Sequence, residues 1–102
     1  MSYVSHLECS ANCGATPLDP HEQHHLCSCG MPLLVRYHLD RVANIWKKST
    51  LVDRPPTMWR YKEMMPLLGD GEPVTLGEGF TPLFHAKSLG RKLGLQALYI
   101  KD

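Results

Sequence analysis

The chain lacks any apolar run near the ~20 residues that a membrane-spanning helix needs, so no membrane partner is expected. It also lacks a surplus of one charge: 11 Lys and Arg stand against 10 Asp and Glu, a formal net charge of +1. Without a basic excess, electrostatic capture of nucleic acid has no basis. Aromatic residues are sparse at 8%, with only two Phe, which leaves few large side chains for a core. The opening MSYVSHLECS has neither a basic start nor an apolar stretch behind it. It does not read as a secretory signal, and a cytoplasmic location is expected. Punctuation, by contrast, is plentiful. Eight Gly and eight Pro limit regular structure in a chain of 102 residues, already short for burying a core. A metal, or further protein packed against it, is expected to supply the missing stability.

All four cysteines (Cys9, Cys13, Cys27 and Cys29) and four of the six histidines precede Leu33. The spacing is C-x3-C, a gap of thirteen residues, then C-x-C-G. In a reducing compartment such clusters serve metal more readily than disulfides. Gly14 and Gly30 directly follow the second Cys of each pair, where tight knuckles often need positive φ. Cys27-Ser28-Cys29 can present both sulfurs to one side of an extended segment, whereas a disulfide between them would be strained. The leading expectation is one structural Zn2+ held by the four thiolates. A metal-free relic and a redox or disulfide cluster stay open as alternatives, since the usual knuckle is C-x2-C in both halves. His6, His24 or His25 can replace a thiolate, although HEQHH reads more simply as a solvated loop. Only Asp19 and Glu22 stand near as general bases, so catalytic zinc is not expected.

Further along, Leu33 to Tyr37 (LLVRY) predicts a strand. Asp40 is expected to cap a helix over Arg41 to Lys48, with Val42, Ile45 and Trp46 on one face and Lys47 and Lys48 in the last turn. Pro55-Pro56 interrupts the chain, and Thr57 is expected to cap a second helix running to Met65. There Met58, Tyr61 and Met65 share a face, while Arg60, Lys62 and Glu63 face solvent. Trp59 and Tyr61 are read as a clamp packing the arm onto the domain that begins near Pro73. Nucleic-acid stacking is disfavoured for MWRY, with one Arg and one Lys beside two rings. Gly69, Gly71 and Pro73 mark a linker. Val74 to Leu76 predicts a strand, and Ala86 to Leu93 a helix with Ala86, Leu89 and Leu93 inward. Gly94 caps that helix, and Ala97 to Lys101 predicts a closing strand. Gly77-Glu78-Gly79 is only half of a dinucleotide fingerprint, because Pro82 occupies the third glycine's place.

Four phrases in this order, CSCGMPLLVRY, DRPPTMWRYKEMMPL, VTLGEGFTPL and LGRKLGLQALYIKD, resemble the amino-terminal portion of threonine synthase. The likeness runs from about Leu7 to Asp102, and the Gly-x-Thr-Pro-Leu idea is shared by other enzymes of the same fold. It implies a pyridoxal-phosphate lyase of threonine biosynthesis, with the tryptophan-synthase-like (fold-type II) architecture. The implied reaction turns O-phosphohomoserine and water, an amino-acid-type small-molecule substrate, into threonine and phosphate. In that family a lysine in an Asn-Pro-Thr-Gly-Ser-Phe-Lys-Asp-like segment forms the Schiff base. No such segment, and no glycine-rich phosphate cradle, is present here. The resemblance therefore implies no catalytic and no cofactor-binding residue in this chain, with Thr81 the closest approach to an active site. Lys101, at a strand end, is read as a solvated or structural charge. Where the family arm more often shows C-x2-C, this chain has Cys9-Ser10-Ala11-Asn12-Cys13.

The expected fold class is α+β, or incomplete α/β: a zinc-ribbon-like arm over residues 1–37, a helical connecting segment over 38–72, and the first strand-helix-strand of a truncated catalytic domain over 73–102. Such a fragment is expected to be inactive alone and able to dock onto the remainder of the catalytic domain. Two alternatives stand beside it. One is a free-standing zinc-ribbon adaptor that contacts another protein through Trp59 and Tyr61. The other is a fragment of a different pyridoxal-phosphate enzyme of the same fold type.

Overall fold

The computed structural model describes residues 2–102. Two antiparallel strand pairs stand at opposite ends of the chain, joined by a helical stretch. β1 (Val4–Cys9) pairs with β2 (Leu33–Tyr37), in a register running from Val4 opposite Tyr37 to Cys9 opposite Leu33 with one irregularity between Val4 and His6. β2 covers the residues predicted as a strand; along it Leu33, Val35 and Tyr37 are half-buried while Leu34 and Arg36 are exposed, the alternation of a strand with one covered face. The other edge of β1 is closed by Leu18, which exchanges both backbone hydrogen bonds with Leu7 at 3.0 and 2.9 Å. Both edges of β1 thus carry backbone partners. The Glu8 carboxylate pairs with Arg36 across the ribbon and accepts from His6 Nε2 at 3.3 Å.

The connecting stretch departs from expectation. α1 spans Leu39–Ile45, and Trp46 then turns extended with ψ 119°. His38, not Asp40, stands at its cap position, and no side chain caps it; Asp40 lies in the first turn. Lys47 and Lys48 therefore miss the last turn of α1. Lys47 is extended, and Lys48 opens α2 (Lys48–Val52). The predicted helix from Thr57 to Met65 is a 3-10 helix over Met58–Met64, kinked at Tyr61 (φ −105°, ψ 27°), with no side-chain cap from Thr57. A 3-10 turn suits short pieces tied down by tertiary contacts, and this one is tied at both ends. Met58 N donates to the Glu78 carbonyl at 2.8 Å, and Arg60 reaches the carbonyls of Leu51 and Arg54 at 3.1 and 3.3 Å.

In the last third, β3 (Leu83–His85) and β4 (Tyr99–Lys101) pair antiparallel, with Leu83 opposite Lys101 and His85 opposite Tyr99. α3 (Lys87–Leu93) lies between them and ends on Gly94 at φ 69°, as its sequence predicted. The strand expected at Val74 to Leu76 is not formed. Val74 and Leu76 are almost wholly exposed, at 100% and 99%, and a strand without a partner leaves its backbone groups to water. Leu89 and Leu93, expected inward, are 45% and 60% exposed, because no other layer covers α3.

Among the described residues the buried apolar side chains are only Cys9, Cys27 and Val42. The radius of gyration is 18.7 Å, against about 13 Å for a compact domain of 100 residues. So little burial cannot offset the conformational entropy of ordering such a chain. The fold needs other sources of cohesion, and the cysteine cluster is the most concentrated of them.

Candidate metal centre

Two turns bring the cysteines together at the open end of the β1–β2 ribbon. Cys9 is the last residue of β1, and the chain leaves it through a turn in which Asn12 N donates to the Cys9 carbonyl at 3.2 Å. Asn12 takes φ 51° and Gly14 φ 83°. Asn tolerates the left-handed region better than most residues, so it absorbs the extra residue of C-x3-C. The second turn closes with Gly30 N on the Cys27 carbonyl at 2.8 Å and Cys27 N on the Met31 carbonyl at 2.9 Å, with Gly30 at φ 85°. Ser10 N donates to the Pro32 carbonyl at 3.0 Å, which fixes one turn against the other.

The four Sγ atoms lie within 4.8 Å of one another, and none is in a disulfide. Two sulfur contacts cross between the turns: Cys9 to Cys29 at 3.5 Å and Cys13 to Cys27 at 3.6 Å. A tetrahedral ion with metal–sulfur bonds of ~2.3 Å requires sulfurs ~3.8 Å apart. The cluster has that size, so C-x3-C and C-x-C together reach the same arrangement as two C-x2-C turns. Each knuckle offsets the other's length.

Electrostatics point the same way. The Cys13 amide, aided by that of Ala11, pulls the Cys9 thiol down to about 6. The Cys29 amide likewise lowers Cys27. Cys29 also receives the Met31 amide, yet the surrounding sulfurs of Cys9, Cys13 and Cys27 outweigh it and push the thiol up to about 12. Backbone donors aimed at sulfur favour thiolates, but several thiolates this close repel one another. A divalent cation at their centre removes that conflict. The donor set and its spacing therefore fit a metal ion.

The histidines considered as substitute ligands lie elsewhere. His6 binds Glu8, and His24 Nε2 bonds the Asp19 carbonyl at 3.0 Å. His25 is exposed, and the metal-sized group consists of the four cysteines alone.

A second cluster escaped the sequence reading. Glu63, assigned there to solvent, is 7% exposed. Its carboxylate accepts two bonds from the Arg54 guanidinium at 2.7 Å each and one from Trp46 Nε1 at 3.0 Å. Arg54 above all, with Trp46, holds the Glu63 carboxyl down to about 2. Arg60, also assigned to solvent, is half-buried. The Trp46 and Tyr61 rings meet with centroids 5.9 Å apart. Tyr61 thus packs within the connecting segment. No spacing rule links positions 46, 54 and 63 across two breaks of helix, so the sequence carried no signal for it.

Thr81 stands at the start of the β3–β4 pair. Its hydroxyl and carbonyl both accept from Lys101 Nζ, and the hydroxyl also meets the Asp102 carbonyl. Lys101 thus ties the two strand ends together. All six lysines are exposed.

Fold and cluster together define a class: a small α+β chain with two antiparallel strand pairs and a four-cysteine, zinc-ribbon-like arm. Comparison with known proteins is more specific. The chain is 32% identical over 96 residues to the threonine synthase of Methanocaldococcus jannaschii, and 35% over 97 residues to that of Methanosarcina acetivorans. Each match takes in 94% of this chain but only 24% and 22% of the relative. The chain thus spans about a quarter of the length of the curated relatives it matches. No family model matches it, and no solved structure does. The resemblance to the amino-terminal region of threonine synthase, carried in the sequence by four ordered phrases, therefore holds over nearly the whole chain. No helix among the described residues is long and apolar enough to cross a membrane.

Proposed function

We propose that this chain is the entrance of a threonine-synthase-type lyase, with an arm pinned by one structural Zn2+ on Cys9, Cys13, Cys27 and Cys29. The enzyme of which it is part converts O-phosphohomoserine and water to threonine and phosphate. The observation that carries this reading is similarity across 94% of the chain to proteins of that name. In such an enzyme pyridoxal phosphate supplies the electron sink for the substrate carbanion. The residues here do other work. The thiolates hold the ribbon, Lys101 and Thr81 clasp the β3–β4 ends, and Thr81 stands toward the active site. On this reading catalysis depends on the parts of the enzyme outside the quarter that this chain matches.

The exposed apolar face of the last third supports that division. Leu83, Phe84, Leu89, Leu93 and Ile100 are each between 45% and 63% exposed within a stretch of eighteen residues. Apolar exposure of this density marks surface meant to be covered. The remainder of the catalytic domain is its proposed occupant, whereas a free-standing adaptor docking through Trp59 and Tyr61 leaves it unexplained.

A chimera tests the proposal. This chain replaces the matched region of the Methanocaldococcus jannaschii relative, and phosphate release from O-phosphohomoserine is followed. Activity with threonine as product is expected. A folded, cofactor-loaded chimera that releases no phosphate overturns the reading.

A further inference from the structure

The cysteine cluster carries a pattern that metal binding does not require. Cys9 and Cys27 are buried, whereas Cys13 and Cys29 are exposed. Two sulfur pairs in hydrogen-bond contact each join one exposed and one buried residue: Cys29 with Cys9 at 3.5 Å, and Cys13 with Cys27 at 3.6 Å. The pairs share no sulfur, so closing one leaves the other intact. We propose that the cluster is an oxidation site for hydrogen peroxide, in which each of these two pairs closes as a disulfide, Cys9 with Cys29 and Cys13 with Cys27.

The chemistry balances in two steps at each pair. One thiolate of the pair attacks hydrogen peroxide; a sulfur–oxygen bond forms, the oxygen–oxygen bond breaks, and the departing hydroxide takes up a proton and leaves as water. The resulting sulfenic acid is attacked by the partner sulfur, a sulfur–sulfur bond forms, and the sulfenic oxygen leaves as a second water. Each disulfide delivers two electrons to one peroxide, so the whole cluster consumes about two equivalents per chain. Closure needs each pair to move from its present separation to ~2.05 Å, a shift that turn residues can absorb. Cys27 and Cys29 have one residue between them and cannot pair without strain, which directs closure across the two turns. Disulfide sulfurs are poor ligands, so a bound metal leaves as the bonds form.

The connectivity rests on the sulfur positions alone, while metal release rests on the zinc reading above. The test separates them. The zinc-loaded and the metal-free chain are each titrated with hydrogen peroxide; released zinc is read with a chromogenic chelator, and disulfides are mapped by mass spectrometry under non-reducing conditions. Cys9–Cys29 and Cys13–Cys27 links are expected in both samples, with zinc released in step with them in the first. The double substitution C9S/C29S should retain one disulfide and C13S/C27S the other, whereas C9S/C27S should accumulate sulfinic acid without a link. Links within a turn, scrambled links, or sulfinic acid ahead of any disulfide in the unsubstituted chain overturn the proposal. Correct links with zinc still bound overturn the release step.

Discussion

The Met58 amide donates to the Glu78 carbonyl at 2.8 Å, and this one bond fastens the glycine turn of the last third to the connecting segment. The approach is close because Gly79, at φ 95°, has no side chain. A Cβ there would stand 2.4 Å from Met58 N, while one on Gly77, at φ 85°, would meet nothing within 4 Å. Phe80 beyond the turn lies under the Arg60 guanidinium, 5.9 Å from its ring centroid.

Gly79→Ala should therefore loosen the clasp more than Gly77→Ala. Both lose left-handed freedom, worth about 1 kcal/mol or more, but only Gly79→Ala adds a backbone clash. Amide exchange at Met58 checks this. Faster exchange in Gly79→Ala than in Gly77→Ala is expected, and equal rates count against the clasp.

Glu63 makes stability depend on pH. Its folded value of about 2 lies below the ordinary 4.5, chiefly through the Arg54 guanidinium. The contribution is thus full above pH 4.5 and is lost as pH falls toward about 2. Glu63→Gln should flatten the pH dependence of Trp46 fluorescence unfolding in that window. Glu63→Ala, which strands Arg54, should cost about 3 kcal/mol at neutral pH. Parallel pH profiles for Glu63→Gln and the unsubstituted chain would show that another carboxylate dominates.

The apolar face of α3 separates folding from docking. Leu93 is 60% exposed here, so Leu93→Asp should change the stability of the isolated chain by less than about 0.5 kcal/mol. In the chimera the same substitution should abolish phosphate release by leaving a charge against a covered surface. Full chimera activity with Leu93→Asp would show that this face stays open.

How much of the fold is legible in the sequence depends on where each signal resides. The cysteine turns are legible because their determinants are local: short spacing, Gly14 and Gly30 at positive φ, and few aliphatic residues to offer another core. LLVRY matches its strand to the residue, since alternation along β2 follows its two faces. Val74 to Leu76 misleads because an apolar triplet signals a strand only when a partner is in reach. The helix expected from Arg41 to Lys48 breaks at Trp46, whose indole turns to Glu63 seventeen residues on. Non-local polar contacts of that kind leave no period in a sequence. The outward Leu89 and Leu93 reflect the opposite failing: the helical period is right, and the layer it addresses is not among these residues.

The account stands or falls on the four sulfurs, because so little else is buried. The direct measurement is the zinc content of protein purified without chelator, by elemental analysis against protein concentration. One zinc per chain is expected, reduced by serine at any of the four cysteines and unaffected by His24→Ala or His25→Ala. Less than half an equivalent, or a content that serine substitutions leave unchanged, would contradict it.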